Sequence, residues 1–309
     1  MTDSSAVLVD GPWRHLFVAA NGARFHVAEL DPGRADHGLK TPLVVLLHGF
    51  GQMWWAWRHQ VPVLAEAGFR VAAIDLRGAG ASDKPPQGYD IPTLTRDVAG
   101  VIRSLGAKEA VVVGHGVGGT VAWSMPALRP EVTRAVAALS APHPATMHSG
   151  RVARALLRRS TGRRLAFFQL PYFPERRMTR GDLTVRLLAE WGAPGWLESQ
   201  PAQTAEMYRL AAQVPFAAHS GMETLRWLVR STPRVDGQRY LTTVRNPVEV
   251  PVLQVHGAAD RCIPVTVARS AFGRPYRFET VPDAGHYLPE EAPRQVNELL
   301  VDWLGSLAD

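Results

Sequence analysis

The chain of 309 residues is poor in cysteine, lysine and long apolar runs. Its single cysteine, Cys262, excludes an internal disulfide framework and a cysteine-based zinc cluster. No apolar run approaches the roughly 18 residues of a membrane-spanning helix, and the first residues lack the basic start and apolar core of a secretory signal. We therefore expect a cytoplasmic protein without a metal, a cofactor or a membrane partner.

Basic residues are abundant, but few of them are lysine. Three of the 34 basic residues are lysine, which leaves 31 arginines, and the formal net charge is +6. The bias runs along the whole chain and is attributed to GC-rich coding, although residues 151–180 hold one local concentration. Because no aromatic-interleaved basic motif accompanies the charge, we expect no nucleic-acid partner. The expected partner is a small apolar substrate, bound by a monomer or a homodimer.

Short apolar runs alternate with helical patterns along the first 144 residues. An opening hairpin is predicted around Asn21-Gly22, because this dipeptide suits a tight turn. Four continuous apolar runs follow, at residues 43–47, 71–74, 110–113 and 135–139. Continuous apolar strands are typical of a sheet that is covered on both faces. Alternating strands and helices predict an α/β fold with a mostly parallel, doubly wound sheet.

The alternation stops after Pro144. Residues 145–235 show helical patterns with many arginines and several prolines, but no convincing buried strand. The strand pattern resumes at residues 252–255 and again at 277–281. We therefore predict one core, formed by residues 1–144 and 236–309, that is interrupted by a helical cap over residues 145–235.

One glycine-rich turn carries the most information. The apolar strand at 110–113 runs through Gly114 and His115 to Gly116, and a helical pattern starts at Val117. Hydrolases with a G-x-S-x-G motif present their nucleophile on such a strand-to-helix turn. Here the central position is Gly116, so the turn is kept without a reactive side chain. A dinucleotide site is disfavoured, because it requires G-x-G-x-x-G spacing near the first strand of the sheet.

An acid and a histidine follow in the chain order typical of these hydrolases. Asp260 comes after the apolar run 252–255, and His286 comes after the next predicted strand. A carboxylate bonded to one imidazole nitrogen fixes the tautomer and leaves the other nitrogen as a general base. Singly, Asp260 could be a helix N-cap and His286 an ordinary loop histidine. Together, in this order, they favour a catalytic pair.

The core motifs resemble the epoxide-hydrolase and haloalkane-dehalogenase branch of the α/β-hydrolase superfamily. Residues 48–51 (HGFG) are similar to the oxyanion loop of that family, and residues 75–85 (DLRGAGASDKP) to its signature after the fourth strand. The resemblance covers roughly residues 12–144 and 236–309. It implies an α/β-hydrolase fold with an inserted helical cap and no cofactor. The implied oxyanion donors are the N–H groups of Phe50 and Val117, and the implied substrate contacts are His48, Trp54, Phe168 and Trp227.

The chain departs from this family at its nucleophile. The family carries an attacking aspartate at the position that matches Gly116, and its cap supplies two tyrosines. Neither residues 167–169 nor residues 225–228 contain tyrosine. His115 is disfavoured as a replacement nucleophile, because it precedes the turn and is expected to pack beside the sheet. Ser140 and Cys262 are disfavoured because no positioned base or activating neighbour is visible in the sequence.

Three hypotheses follow from this departure. In the first, the chain hydrolyses a small apolar ester, lactone or epoxide-like substrate, with His286 and Asp260 as a general-base pair. In the second, it is an inactive pseudoenzyme or a protein that binds a small ligand. In the third, the chain was altered at Gly116 to trap a substrate.

Overall fold

The computed structural model describes residues 2–33 and 42–307. Its core is an eight-stranded sheet in the order β1-β2-β4-β3-β5-β6-β7-β8. The strands are β1 (Arg14–Ala20), β2 (Ala23–Leu30), β3 (Leu43–Leu47), β4 (Arg70–Ile74), β5 (Ala110–His115), β6 (Thr133–Leu139), β7 (Val252–Gly257) and β8 (Tyr276–Val281). β2 pairs antiparallel with β1 and β4, and the pairs from β4 to β8 are parallel. The predicted α/β-hydrolase fold with a mostly parallel sheet is confirmed.

The helices are distributed between the two faces of this sheet and a long insertion. They are α1 (Gln60–Glu66), α2 (Ile91–Ser104), α3 (Val117–Leu128), α4 (Pro144–Met147), α5 (Gly150–Leu157), α6 (Ser160–Phe168), α7 (Phe173–Thr179), α8 (Leu183–Trp191), α9 (Trp196–Ser199), α10 (Ala202–Gln213), α11 (Ala217–Arg230), α12 (Val235–Val244), α13 (Val265–Ala268), α14 (Leu288–Glu291) and α15 (Pro293–Gly305). None of these helices is both long and apolar enough to cross a bilayer.

The alternating directions of the side chains along β3 show how both faces of the sheet are covered. Successive side chains of a strand point to opposite faces. Val44 and Leu46 pack into a cluster with residues of α1 and α15. Val45 and Leu47 pack into a second cluster with residues of α2, α3 and α12. Because both faces are buried, each strand of the sheet centre can be apolar throughout, as the sequence indicated.

The hairpin at the start of the sheet has the predicted turn. Asn21 and Gly22 both have positive φ angles, of 45° and 74°. Two such residues fit a tight two-residue turn whose twist matches that of the strands. β1 and β2 are therefore joined directly, with Ala20 opposite Ala23.

A helical insertion separates β6 from β7. The segment predicted as a cap, residues 145–235, contains α5 to α11 and no strand. α12 follows at the end of this segment, and its Tyr240, Leu241 and Val244 pack into the sheet cluster that also holds α3. This packing places α12 with the core. The division into a core and a cap domain stays a prediction.

Candidate active site

The turn between β5 and α3 is built from glycines for two different reasons. A Cβ on Gly114 would collide with the backbone of Gly118, and a Cβ on Gly118 would collide with the carbonyl of Leu47. These two positions therefore need glycine for close packing. Gly116 has φ 53° and ψ −115°, a backbone conformation that L side chains rarely adopt.

Gly116 has space for a side chain, in contrast to its glycine neighbours. A Cβ there would lie 3.6 Å from Gly49 Cα and 3.6 Å from His286 Nε2, with no closer heavy atom outside its chain neighbours. Both distances are ordinary van der Waals contacts. A side chain at this position would therefore extend beside the ring of His286. The strain of its backbone would cost about 1–3 kcal/mol.

Asp260 and His286 come together as the sequence predicted. The loop after β7 carries Asp260 and the loop after β8 carries His286, and their Oδ2 and Nδ1 atoms are 3.0 Å apart. Both side chains are almost fully buried. The other carboxylate oxygen, Oδ1, accepts hydrogen bonds from the N–H groups of Cys262 at 2.7 Å and Ile263 at 2.8 Å. This arrangement places the imidazole proton on Nδ1 and leaves Nε2 as the basic atom.

The Asp260 carboxyl is held in its ionised form. Burial alone would raise its pKa, but the charge of His286 and the hydrogen bonds of His256 and His286 oppose this, and the net shift is downward. His256 Nε2 lies 3.2 Å from Asp260 Oδ2 and 2.8 Å from the carbonyl of Ile263. An ionised Asp260 stabilises an imidazolium on His286 whenever Nε2 takes a proton.

Two backbone N–H groups near Gly116 are available to a ligand. The N–H of Gly118 donates to the carbonyl of His48 at 3.1 Å, which joins the start of α3 to the loop after β3. Within the described residues, the N–H groups of Phe50 and Val117 donate to no protein atom. Both belong to segments that flank Gly116. They are therefore suited to stabilise an oxyanion, and this role remains a prediction.

A small apolar cavity of about 60 Å³ adjoins these donors. It lies between the loops after β3 and β4 and the helices α7, α10 and α11 of the insertion. Its lining includes Phe50, Leu76, Val117, Met178, Ala212 and Ala218. Gly49 also lines it and is the backbone neighbour of the Gly116 position. His286 and Asp260 are not part of the lining.

Two of the predicted substrate contacts lie near this cavity. His48 lines it, but both ring nitrogens are engaged: Nδ1 donates to the carbonyl of Gly49 at 2.9 Å and Nε2 accepts from the N–H of Leu76 at 3.1 Å. Burial lowers its pKa, which keeps the ring neutral. Phe168 is fully buried behind Phe50, with ring centroids 5.5 Å apart. His48 and Phe168 thus support the oxyanion loop.

The other two predicted contacts, Trp54 and Trp227, are not brought to the cavity. Trp54 is fully buried, and its indole N–H donates to the carbonyl of Val7 at 3.0 Å. Trp227 packs against Tyr240, with ring centroids 5.4 Å apart. Neither ring is among the residues that line the cavity. The expectation of substrate contact is corrected for Trp54, because its ring is enclosed in the core. Trp227 is half-buried, its indole N–H donates to Asp236 at 3.3 Å, and its contact with a substrate stays a prediction.

The structure also shows the surroundings of the three residues that were considered as replacement nucleophiles. Cys262 is buried, and burial raises the pKa of its thiol well above the usual value. Ser140 has a buried hydroxyl that meets no hydrogen-bond partner within the described residues, and thus no base. His115 lies with Nδ1 2.9 Å from Gln52 Oε1 and Nε2 2.7 Å from the carbonyl of His286. All three remain poor nucleophiles.

Sequence reasoning missed a buried polar network behind the oxyanion loop. Gln52 Oε1 accepts from the N–H of Gly49 at 3.1 Å and lies 2.9 Å from His115. Gln52 Nε2 donates to Glu290 at 2.8 Å. Glu290 also accepts from Arg58 and from the hydroxyl of Tyr208, each at 2.6 Å. Tyr208 belongs to α10, so the network joins the insertion to the oxyanion loop.

A second missed residue, Glu291, shapes the loop of His286. Its carboxylate accepts from the N–H groups of Gly285 at 2.7 Å, Tyr287 at 2.6 Å and Ala193 at 2.8 Å. Two of these donors flank His286 and the third belongs to the insertion. The sequence offered one signal for both acids, an acidic pair placed directly after the apolar residues 287–289.

Comparison with known proteins agrees with the fold. Residues 42–293 match the model of the alpha/beta hydrolase fold family. The chain is 32% identical over 296 residues to the AB hydrolase superfamily protein YfhM of Bacillus subtilis, covering 93% of this chain and 96% of that one. It is 31% identical over 322 residues to epoxide hydrolase A of Mycobacterium tuberculosis, covering 94% and 97%.

A solved structure gives the same result. The chain superposes on the crystal structure of epoxide hydrolase A from Mycobacterium thermoresistibile with a TM-score of 0.77 and 28% identity. The match covers 94% of this chain and 98% of that one. The chain therefore belongs to the α/β hydrolase fold family, among relatives that include epoxide hydrolases.

Proposed function

We propose that the protein hydrolyses a small apolar ester or lactone by general-base catalysis, without a covalent nucleophile. The observation that carries this proposal is the free Nε2 atom of His286, 3.6 Å from the place where a Gly116 side chain would begin. Asp260 orients the ring from its other side. The N–H groups of Phe50 and Val117 supply the complementary oxyanion site.

The proposed reaction begins with a water molecule in the space beside Gly116. His286 Nε2 takes one proton from this water, and the water oxygen forms a bond to the carbonyl carbon of the substrate. The carbonyl oxygen becomes an oxyanion that accepts hydrogen bonds from Phe50 and Val117, where each donor contributes about 2.7–4 kcal/mol. The bond to the leaving oxygen then breaks, and His286 returns its proton to that oxygen.

The residues around the cavity favour an acyl substrate over an epoxide. Opening an epoxide requires an acid that protonates the departing ring oxygen. No tyrosine is among the residues described as lining the cavity. Tyr208 donates its hydroxyl proton to Glu290, and Tyr172 lies exposed on the outside of the insertion. An ester needs no separate acid, because the protonated His286 serves its leaving group.

The proposal is tested with p-nitrophenyl acetate, a simple lactone and styrene oxide as substrates. In His286→Ala, kcat/KM for the acyl substrates is expected to fall on the order of 10²–10⁴-fold. The matched control is His219→Ala, because His219 is a half-exposed histidine of the insertion that reports non-specific imidazole catalysis. Its activity should equal that of the parent chain.

Two outcomes would overturn the proposal. A covalent acyl-enzyme seen by intact-mass spectrometry would show that a nucleophile exists. Equal background rates in the parent chain and in His286→Ala would favour the alternative, a pseudoenzyme that binds a small apolar ligand.

A further inference from the structure

The insertion carries a strong concentration of positive charge. Residues 144–180 contain nine arginines, no lysine and one acidic residue, Glu175, which gives a net charge of +8. The whole chain has a net charge of +6, so the remaining residues together carry −2. An arginine bias spread evenly over the chain would not produce this division. The excess positive charge is therefore concentrated in this one segment of the insertion.

Most of these arginines are exposed and unpaired. Arg164 forms an ion pair with Glu190. Within the described residues, Arg176, Arg177 and Arg180 form no ion pair and are exposed at the end of α7. The one acidic side chain of the segment, Glu175, is occupied by Arg226 at 2.7 Å. The guanidinium groups of α7 are therefore free to meet an external anion.

Large apolar side chains stand exposed beside these arginines. Leu170, Tyr172 and Phe173 precede or begin α7 and are 46%, 61% and 59% exposed. Phe216, which precedes α11, is 72% exposed. Tyr172 and Phe216 also have positive φ angles, of 68° and 65°. Such strain in residues other than glycine costs about 1–3 kcal/mol and is common at binding sites.

The buried side of α7 belongs to the candidate active site. Met178 lines the cavity, as does Ala217, which follows Phe216 in the chain. The same short helix therefore presents arginines to the outside and an apolar wall to the cavity. We call the exposed side, formed by Tyr172, Phe173, Arg176, Arg177 and Arg180, the α7 face.

We infer that the α7 face docks on a lipid bilayer that contains anionic lipids. The arginines match the negative headgroups, and the exposed Tyr172 and Phe173 match the boundary between headgroups and acyl chains. Such docking needs no spanning helix. It differs from the expectation, based on the absence of a long apolar run, that the protein has no membrane partner.

The exposed apolar groups favour lipid over nucleic acid. A phosphate backbone would use the arginines alone and gain little from Tyr172 and Phe173 on the same face. A bilayer uses both, because peripheral binding increases with buried apolar area and with attraction to anionic lipids. The cavity that Met178 of the same helix lines is mostly apolar as well, which suits a ligand that partitions into lipid.

The test measures binding of the full chain to vesicles by co-flotation, which does not depend on enzymatic activity. The vesicles are phosphatidylcholine alone or phosphatidylcholine with about one-third phosphatidylglycerol. Binding is expected only with the anionic lipid. Each arginine near an anionic surface contributes on the order of fivefold in affinity. The triple variant Arg176→Gln/Arg177→Gln/Arg180→Gln should thus lose on the order of 100-fold.

Two further variants separate the α7 face from general charge. Tyr172→Ser/Phe173→Ser should weaken binding to the same vesicles although the net charge is unchanged. The matched control Arg96→Gln/Arg239→Gln/Arg294→Gln removes three exposed arginines elsewhere and should bind almost as well as the parent chain.

Three results would overturn the inference. The first is that the chain does not float with anionic vesicles, and the second is that the control triple variant loses as much vesicle affinity as the α7 variant. The third is that a DNA duplex binds the chain more tightly than the vesicles do, with the same affinity for Tyr172→Ser/Phe173→Ser.

Discussion

Two buried carboxylates beside this sheet, Asp75 and Asp260, each contact a histidine, His26 or His286, and the two histidines differ in what their second ring nitrogen meets. His26 Nδ1 is 2.7 Å from Asp75 Oδ2, and its Nε2 is 2.8 Å from a nitrogen of His15. His286 has the same contact with Asp260 at 3.0 Å, but its Nε2 faces the space beside Gly116. A buried histidine–carboxylate pair by itself thus only stabilises the structure. A pair becomes a candidate base only where the far nitrogen remains accessible to a ligand.

The largest expected effect is a difference between the two pairs in what removal of the histidine does to stability and to activity. His26→Ala leaves Asp75 buried without an imidazole partner and should lower the free energy of unfolding by about 3–5 kcal/mol. His286→Ala should cost less, because Asp260 keeps His256 as a second imidazole. Ester turnover should fall more in His286→Ala than in His26→Ala. Urea unfolding and ester turnover of both variants measure the two effects, and similar losses of stability in both would contradict the comparison.

The Gly116 turn provides the next test. Gly116→Ser should lower the free energy of unfolding by about 1–3 kcal/mol, because φ is positive there although the space is sufficient. Gly305→Ser is the control, since a Cβ there meets no atom within 4 Å. It should change stability by less than about 0.5 kcal/mol. A rise in melting temperature for Gly116→Ser would show that the turn is not strained.

Lowering the pH should reduce the stability that each of the two histidine–carboxylate pairs contributes. Burial would raise the pKa of both Asp75 and Asp260, but their histidine partners reverse this, and both pKa values are lowered from the ordinary 3.8. A lowered pKa stabilises the fold above the ordinary value, and this stabilisation is lost as the pH falls below it. The stability gap between the parent chain and Asp75→Asn should therefore narrow below about pH 4, and likewise for Asp260→Asn. Urea midpoints across pH check this, and a constant gap would refute it.

The smallest effect concerns the network behind the oxyanion loop. Tyr208→Phe removes one hydrogen bond to Glu290 and should cost about 1 kcal/mol of stability. It should also lower kcat several-fold with little change in KM, because Gln52, which accepts from the N–H of Gly49 next to Phe50, loses part of its own support. Tyr240→Phe removes a comparable buried hydrogen bond, to Ser124, and should leave kcat unchanged. Equal kcat values in both variants would show that Tyr208 is only structural.

The strands, the hairpin and the proximity of Asp260 to His286 were predictable, because each follows from local pattern and from the edge at which parallel strands end. The network around Glu290 was not predictable. Gln52 and Glu290 are 238 positions apart in the chain, and no local pattern links such residues. Trp54 was misplaced for a similar reason: its partner, the carbonyl of Val7, belongs to an N-terminal segment that carried no signal.

The open space at Gly116 has a consequence for how this family can change. A glycine codon that ends in a pyrimidine is a single base change from an aspartate codon and a single base change from a serine codon. Because a Cβ at Gly116 meets nothing closer than 3.6 Å, either change would set a side-chain oxygen beside an imidazole that is already oriented. With such a codon at Gly116, a chain that carries a nucleophile there is a single base change away, and this change requires no rebuilding of the core.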